Sequence, residues 1–325
     1  MNGSAPSVTI VVRSHNEAPR LRLTLASLSR QAGAPEIVVV NDGSSDGTAD
    51  AIRAALETMP LACVTHEAAR GRSAAANAGA AAASGDILLF LDGDTLAAPD
   101  LAEAHRKVHE RAEGLIGRGE TWHLRCTRFL LDPEAGTPMP EHRQRFGRLP
   151  QDEIERMRVT RAQILGDFAA IARRGSPGIY PGAGPRALFE REMEALRDDP
   201  SCPVLWAAAC GANLSIRRTD FIAAGGFDER LDINEHRELA FRLCAGGRRI
   251  VAAEGARTYH MIHRAGWRDP LEDDGWETVF RRRHPTAPID LLKSFWAGFS
   301  DRPADAAPIR TLSELGAAAQ HAQRP

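Results

Sequence analysis

Three short apolar runs, Val8-Thr-Ile-Val-Val12, Glu36-Ile-Val-Val-Val40 and Ile87-Leu-Leu-Phe-Leu91, each break off into polar or acidic residues. Such runs read as strands buried on both faces of a sheet. Helix patterns fill the gaps between them. Leu21, Leu25 and Leu28 recur at helical spacing within 17–31, and Thr48 to Leu56 follows a turn rich in helix-capping residues. An Ala-rich helix covers about Ser73 to Ala83 and stops at Gly85, and Leu61 to Thr65 is a further short strand. This alternation predicts an α/β fold with a mostly parallel sheet and helices on both faces. In such sheets ligands sit beyond the carboxyl ends of the strands. The three runs end in Arg13-Ser14-His15-Asn16-Glu17, Asn41-Asp42 and Asp92-Gly93-Asp94, which this topology gathers on one edge.

From about 117 to 205 the character changes. Arg and Pro become dense, Gln151 to Arg173 reads as one amphipathic helix, and Gly175 to Pro185 is a Gly/Pro loop before a short helix around Arg186 to Arg197. This predicts a mostly helical insertion over 116–205. Regular structure resumes near Leu205, with a helix from about Glu235 to Ala245 ended by Gly246-Gly247. The Ala- and Pro-rich tail over 301–325 is expected to be disordered.

A formal net charge of −2 gives no general electrostatic case for nucleic acid or an anionic membrane. The five cysteines form no CxxC pair and no even framework, which predicts free thiols and a cytoplasmic setting. The start lacks a basic region followed by an apolar one, and no apolar stretch is long enough to span a bilayer. Any membrane contact is expected to be peripheral.

Asp92-Gly93-Asp94 is the segment richest in chemistry. Two carboxylates one residue apart at a strand end can share a hard divalent cation, with Gly letting the backbone approach closely. The same triplet is also ordinary turn chemistry. Asp42, on the same predicted edge, can accept hydrogen bonds from a base or from ribose hydroxyls, and His15 can stack on the base. As alternatives, Asp42 is a helix cap and His15 a turn residue.

The segments VVRSHNEAPRLRLTLASLSRQ, EIVVVNDGSSDGTAD, ARGRSAAANAGAAAASGDILLFLDGDT and CGANLSIRRTDFIAAGGFDERL resemble successive blocks of the family-2 glycosyltransferases. The resemblance covers about residues 7–115 and 206–263 and leaves the insertion unmatched. It implies the Rossmann-like GT-A fold, with residues 1–115 as the nucleotide-sugar-binding half and 206–300 as the acceptor and metal-completing half. It further implies that Asp42 binds the base and that Asp94, with Asp92, ligates Mn²⁺ or Mg²⁺. Asp92 also contacts the ribose, Glu17 and Arg70 lie near the nucleotide, and Asn77 is structural. The implied donor is a nucleotide sugar, of which a UDP-sugar is the first expectation; the acceptor is undefined, whether glycan, lipid carrier, peptide or small metabolite.

Two later segments refine the resemblance. Members often supply a further metal ligand from a late His, for which His260 is the first choice and His263 the alternative; an imidazole beside carboxylates suits Mn²⁺ better than Mg²⁺. The stretch Asn234-Glu235-His236-Arg237-Glu238 resembles the block whose Asp is the general base of inverting members, but His236 stands where that Asp is expected. His236 or the adjacent Glu235 then becomes the candidate base, with inversion preferred over retention. Glu238 and Arg242 read as an i,i+4 pair. A nucleotide-sugar-binding relic without turnover is the second reading. A phosphatase of the haloacid dehalogenase type is the third, because Leu-Phe-Leu-Asp-Gly-Asp-Thr resembles its nucleophile loop. It needs a downstream lysine, and the only lysines are Lys107 and Lys293.

Overall fold

A computed structural model describes residues 5–177, 188–263, 274–298, 308 and 310–322. Its strands are β1 (Val8–Ser14), β2 (Glu36–Asp42), β3 (Ala62–His66), β4 (Ile87–Asp92), β5 (Thr95–Ala97), β6 (Leu115–Leu124), β7 (Leu130–Asp132), β8 (Thr137–Pro138), β9 (Ser176–Pro177), β10 (Leu214–Arg217) and β11 (Arg249–Met261). Nine of them form one sheet in the order β3-β2-β1-β4-β10-β6-β11-β5, with β9 paired to β6. β3, β2, β1 and β4 run parallel, β10 is antiparallel to both its neighbours, and β6 and β11 are again parallel. The sheet is the mixed, mostly parallel α/β sheet of the GT-A fold.

The pleat explains why the first strands are apolar throughout. Ile10, Val12, Ile37, Val39, Ile87, Leu89 and Leu91 face one apolar layer with Leu21, Leu25, Ile52 and Leu101. Val11, Leu88 and Phe90 face the other, with Ala76, Ala80, Trp206, Phe221 and Phe227. Helix 72–82 lies so close to the sheet that a Cβ on Gly79 would sit 2.4 Å from Val11 Cγ1. That contact accounts for the small residues of this helix.

Helix Thr48–Leu56 and helix Glu235–Ala245 fall where the pattern predicts them. The insertion departs from its expectation in two places. β6 crosses the expected boundary at 115/116 and lies in the middle of the sheet, between β10 and β11. The single helix expected over 151–173 is three short ones, Gln151–Met157, Arg161–Gly166 and Phe168–Ala172. Thr160 and Asp167 cause the breaks, because their side chains capture the N–H groups of Gln163 and Ala170 and start new helices. Beyond Pro177 the Gly/Pro loop lies outside the described residues, and the following helix is Leu188–Asp198. The tail is also corrected in part. Leu312–Ala322 is a helix with Leu312 and Leu315 buried in the main core, so its apolar stripe has a surface to cover. The rest of 301–325 lies mostly outside the described residues. Among them, no helix is long and apolar enough to cross a membrane, and all five cysteines are free.

Candidate active site

The register of the parallel strands sets the site. Ser14 pairs with Asn41, Arg13 with Asp92 and Asp42 with His66, so the polar ends of β1, β2 and β4 emerge together. β11 returns antiparallel to β5, His260 opposite Thr95, and thereby delivers its last residues beside Asp94.

Asp94 is 8% exposed. Its Oδ2 lies 3.1 Å from His260 Nε2 and 2.8 Å from His263 Nε2, and its Oδ1 accepts from Thr95 Oγ1 at 3.0 Å. Burial would raise this carboxyl, but His260 and His263 hold it well below the usual range. Burial in turn depresses the His260 imidazole, and Asp94 more than reverses that. These three groups offer ligand atoms all within 4.8 Å of one another. Around an octahedral cation with bonds near 2.1 Å, neighbouring ligand atoms are about 3 Å apart, so the set fits a divalent ion. His260 and His263 both face one oxygen of Asp94.

Asp92 points elsewhere. Its Oδ1 accepts from Arg13 Nε at 2.6 Å, and Nη1 of that guanidinium donates to Glu235 Oε1 at 2.8 Å. Glu17 packs beneath the turn, where a Cβ on Gly93 would fall 2.6 Å from its Oε1. Burial, then the charges of Asp94 and Asp92, push the Glu17 carboxyl well up.

Asp42, 4% exposed, anchors the neighbouring loop. Its Oδ1 accepts from His66 Nδ1 at 2.6 Å and from the Arg70 N–H at 2.9 Å, and its Oδ2 accepts from the Gly71 N–H at 2.9 Å. His15 is exposed at the same edge; its Nδ1 donates to the Asp42 carbonyl at 2.7 Å, which leaves Nε2 to accept from Asn16 Nδ2 at 3.0 Å. The Arg70 side chain is exposed and reaches Glu229 at 3.5 Å. Asn77 ties helix 72–82 to the later half, accepting from the Phe227 N–H at 2.9 Å and donating to the Phe227 carbonyl and Glu229.

His236 and Glu235 open the helix Glu235–Ala245. The Nε2 of His236 faces Arg237 Nη1 at 2.8 Å, and since a guanidinium only donates, that lone pair is already engaged. Its Nδ1 lies 3.6 Å from Glu235 Oε2, and burial lowers the imidazole's pKa against the pull of Glu235. Burial would raise Glu235, but Arg13 and then His236 drive it far down, so Glu235 is an ionised carboxylate. Glu238 and Arg242 do pair, bidentately at 2.8 and 2.7 Å, with Glu238 fully buried.

Sequence reasoning left Arg13 without a role, and it missed the buried triad Arg118–Glu192–Arg237, in which Glu192 bonds the two guanidiniums at 2.8 and 2.9 Å. The one available signal was a lone Arg ending a buried apolar strand. The triad's members are 74 and 45 residues apart and carry none. The two lysines stay on the periphery, Lys107 beside Glu103 and Lys293 beside Glu277, which removes the phosphatase reading.

A mixed, mostly parallel sheet whose strand ends present a carboxylate-imidazole cluster beside Asp42 and His15 matches the GT-A class. Residues 9–166 match the model of glycosyl transferase family 2. The chain is 30% identical over 254 residues to validoxylamine A glucosyltransferase of Streptomyces hygroscopicus subsp. limoneus, covering 74% of this chain and 49% of that protein. It is 34% identical over 116 residues to the uncharacterized glycosyltransferase YfnE of Bacillus subtilis, covering 35% of this chain and 30% of the relative. The chain thus spans half or less of the length of these curated relatives. In fold it resembles the mannosyltransferase PcManGT from Pyrobaculum calidifontis, solved in complex with GDP-Man and Mn²⁺ (TM-score 0.53, 19% identity, 98% of this chain and 75% of that one). It also resembles S. aureus TarS 1-349 in complex with UDP-GlcNAc (TM-score 0.56, 13% identity, 90% and 71%). Residues 9–166 thus place this part of the chain among the family-2 glycosyltransferases.

Proposed function

We propose that this protein transfers a glycosyl group from a nucleoside-diphosphate sugar to an acceptor hydroxyl. The observation that carries the reading is the convergence of Asp94, His260 and His263 on one point at the strand-end edge, beside Asp42 and His15. In this reading those three residues hold Mn²⁺, which the two imidazoles favour over Mg²⁺. A cation held there would supply positive charge to the donor's diphosphate and offset the charge on the leaving group. His15 offers its exposed ring to the base, and Asp42 shapes the pocket by fixing the Arg70–Gly71 backbone. Asp92 and Arg70 line the nucleotide side, and Glu17 supports the turn from below.

Glu235, through the oxygen that Arg13 leaves open, stands beside His236 as a candidate for taking the acceptor's proton: a guanidinium faces the Nε2 of His236, and the charge of Arg13 that keeps Glu235 ionised also weakens it as a base. Inversion is the expected outcome, with donor and acceptor held in line. The identity to validoxylamine A glucosyltransferase makes UDP-glucose with validoxylamine A the first pair to assay. Calorimetric titration with UDP, GDP and dTDP, with and without Mn²⁺, tests the donor site. Asp94→Ala is expected to abolish metal-dependent nucleotide binding and donor hydrolysis; unchanged values would refute the site.

The engaged lone pair of His236 supports one second reading, a nucleotide-sugar-binding protein without turnover. Tight binding of UDP and Mn²⁺ with no product from any donor would favour it.

A further inference from the structure

We infer that the two aspartates of Asp92-Gly93-Asp94 have separate tasks and that Arg13 divides them. Asp94 holds the cation with His260 and His263. Asp92 instead belongs to a bridge, Asp92–Arg13–Glu235, in which Arg13 is a positioning residue for Glu235. The proposal rests on the function proposed above and deepens it.

Three features of the turn keep the aspartates apart. The Gly93 N–H donates to the Arg13 carbonyl at 2.9 Å, and the Gly93 carbonyl accepts from Thr24 Oγ1 at 2.8 Å. Glu17 and Ser14 fill the space where a Cβ on Gly93 would sit, within 2.6 to 2.9 Å. A turn pinned at both ends and underneath sends Asp94 toward β11 and Asp92 toward β1. Asp92 is the more open of the two, with a side chain 34% exposed, yet its carboxylate lies outside the cluster of ligand atoms around Asp94.

The Arg13 guanidinium is planar and its donors are fixed relative to one another. Gripping Asp92 through Nε and Glu235 through Nη1 therefore sets the spacing between the two carboxylates. Residues 13 and 235 are 222 positions apart, so this contact joins the end of β1 to the start of helix Glu235–Ala245. Burial lowers Arg13, but Asp92 and Glu235 raise it far more, and it stays charged. Gly211 permits the arrangement from the other side. A Cβ there would lie 3.0 Å from Arg13 Nη2, 3.1 Å from His236 Nδ1 and 3.4 Å from Glu235 Oε1. From beneath, Arg237 is held by Glu192 at 2.9 Å and the Ala207 carbonyl at 2.8 Å, which stops the helix start from drifting. Glu235 is thus fixed relative to the donor's cation site by two rigid links, and Arg13 is the one on the reacting side.

The test uses the full chain and its variants Asp94→Asn, Asp92→Asn, Arg13→Lys and Arg13→Met. Calorimetry with Mn²⁺ alone is expected to give affinities within about three-fold of wild type for Asp92→Asn and both Arg13 variants, and a loss of about 100-fold for Asp94→Asn. Hydrolysis of UDP-, GDP- or dTDP-glucose, whichever the wild type turns over, is expected to show kcat lowered roughly 10- to 100-fold in Arg13→Met with KM nearly unchanged. Arg13→Lys, which keeps the charge, should recover part of the loss. A urea-unfolding cycle over Arg13→Met, Glu235→Gln and the double variant should be strongly non-additive, and it reads the bridge even where Arg13→Met is poorly stable.

Asp92→Asn weakening Mn²⁺ binding as much as Asp94→Asn would overturn the division of tasks. Wild-type turnover in Arg13→Lys and Arg13→Met, or a loss confined to KM, would overturn the positioning role. A wild type that binds Mn²⁺ but turns over no donor would refute the proposed function, while the titrations and the stability cycle still decide the bridge.

Discussion

At the scale of single residues, the site depends on where a few lone pairs and protons are spent. Asp94 Oδ2 meets two imidazoles at 3.1 and 2.8 Å, so under the proposed function losing either ring removes a third of the candidate ligand set. His260→Ala and His263→Ala are each expected to weaken Mn²⁺ binding by about 10- to 100-fold, measured by calorimetry with the metal alone. If only one of them mattered, the pairing of both imidazoles with one oxygen would be a packing accident. His236 shows the opposite lesson. An imidazole suits general-base work by its ordinary pKa, but here the Arg237 guanidinium lies 2.8 Å from its Nε2. The sequence shows a residue's type and cannot show which of its atoms are already engaged.

At the scale of elements, helix Leu101–Arg111 is attached to the sheet by a polar contact as well as an apolar one. His105 lies 2.8 Å from Ser215 Oγ and 2.7 Å from Asn213 Oδ1, and His109 Nε2 lies 2.9 Å from the same Ser215 hydroxyl. Burial pushes His105 down to about 4. Burial, then the charges of His105 and Arg217, push His109 down to about 3. Unfolded imidazoles take up protons near pH 6.5. Below that value the unfolded chain binds more protons than the folded one, and stability falls as pH drops toward 4. Two such groups predict a loss of roughly 2–4 kcal/mol between about pH 7 and about pH 5. Urea unfolding of wild type and His105→Gln at the two pH values checks it, and the variant should lose about half of the part these two rings contribute. Equal stability at both would mean that the helix opens locally to admit the proton.

At the scale of the whole molecule, the insertion is bound to the sheet through a buried charge network. Glu192, on helix Leu188–Asp198, is fully buried between Arg118 of β6 and Arg237 of helix Glu235–Ala245. Arg237 also lies over the Trp296 ring, 5.2 Å from its centre, on helix Asp290–Ala297. Breaking a buried pair from one side leaves charges with no solvent to stabilise them. Glu192→Leu is expected to cost about 3–5 kcal/mol in urea unfolding. A loss below about 1 kcal/mol would show that water reaches the two guanidiniums.

Much of the first half was legible in the chain because its signals are local. Apolar runs such as Val8–Val12 and Ile87–Leu91 define buried strands, and the residues that end them must emerge on one edge once the strands run parallel. That reasoning picked out Asp42, Asp92, Asp94 and His15 as candidates, while His260, with His263 as its alternative, came from the family resemblance alone. It overran in 151–173, where Thr160 and Asp167 break a helix that periodicity alone would continue. The single helix was expected because apolar spacing outweighed two capping residues.

By itself the sequence determined the first four strands, β1 to β4, the edge on which their polar ends lie, and which residue types stand there. Only the tertiary structure decided that Asp92 meets Arg13 while Asp94 meets the imidazoles, that His260 and His263 both face one oxygen, and that a guanidinium faces His236 Nε2. The physical reason is range. Periodicity and capping act over a few residues, whereas the partners of Arg13, Asp94 and Glu192 lie tens to hundreds of positions away and meet only when the sheet closes.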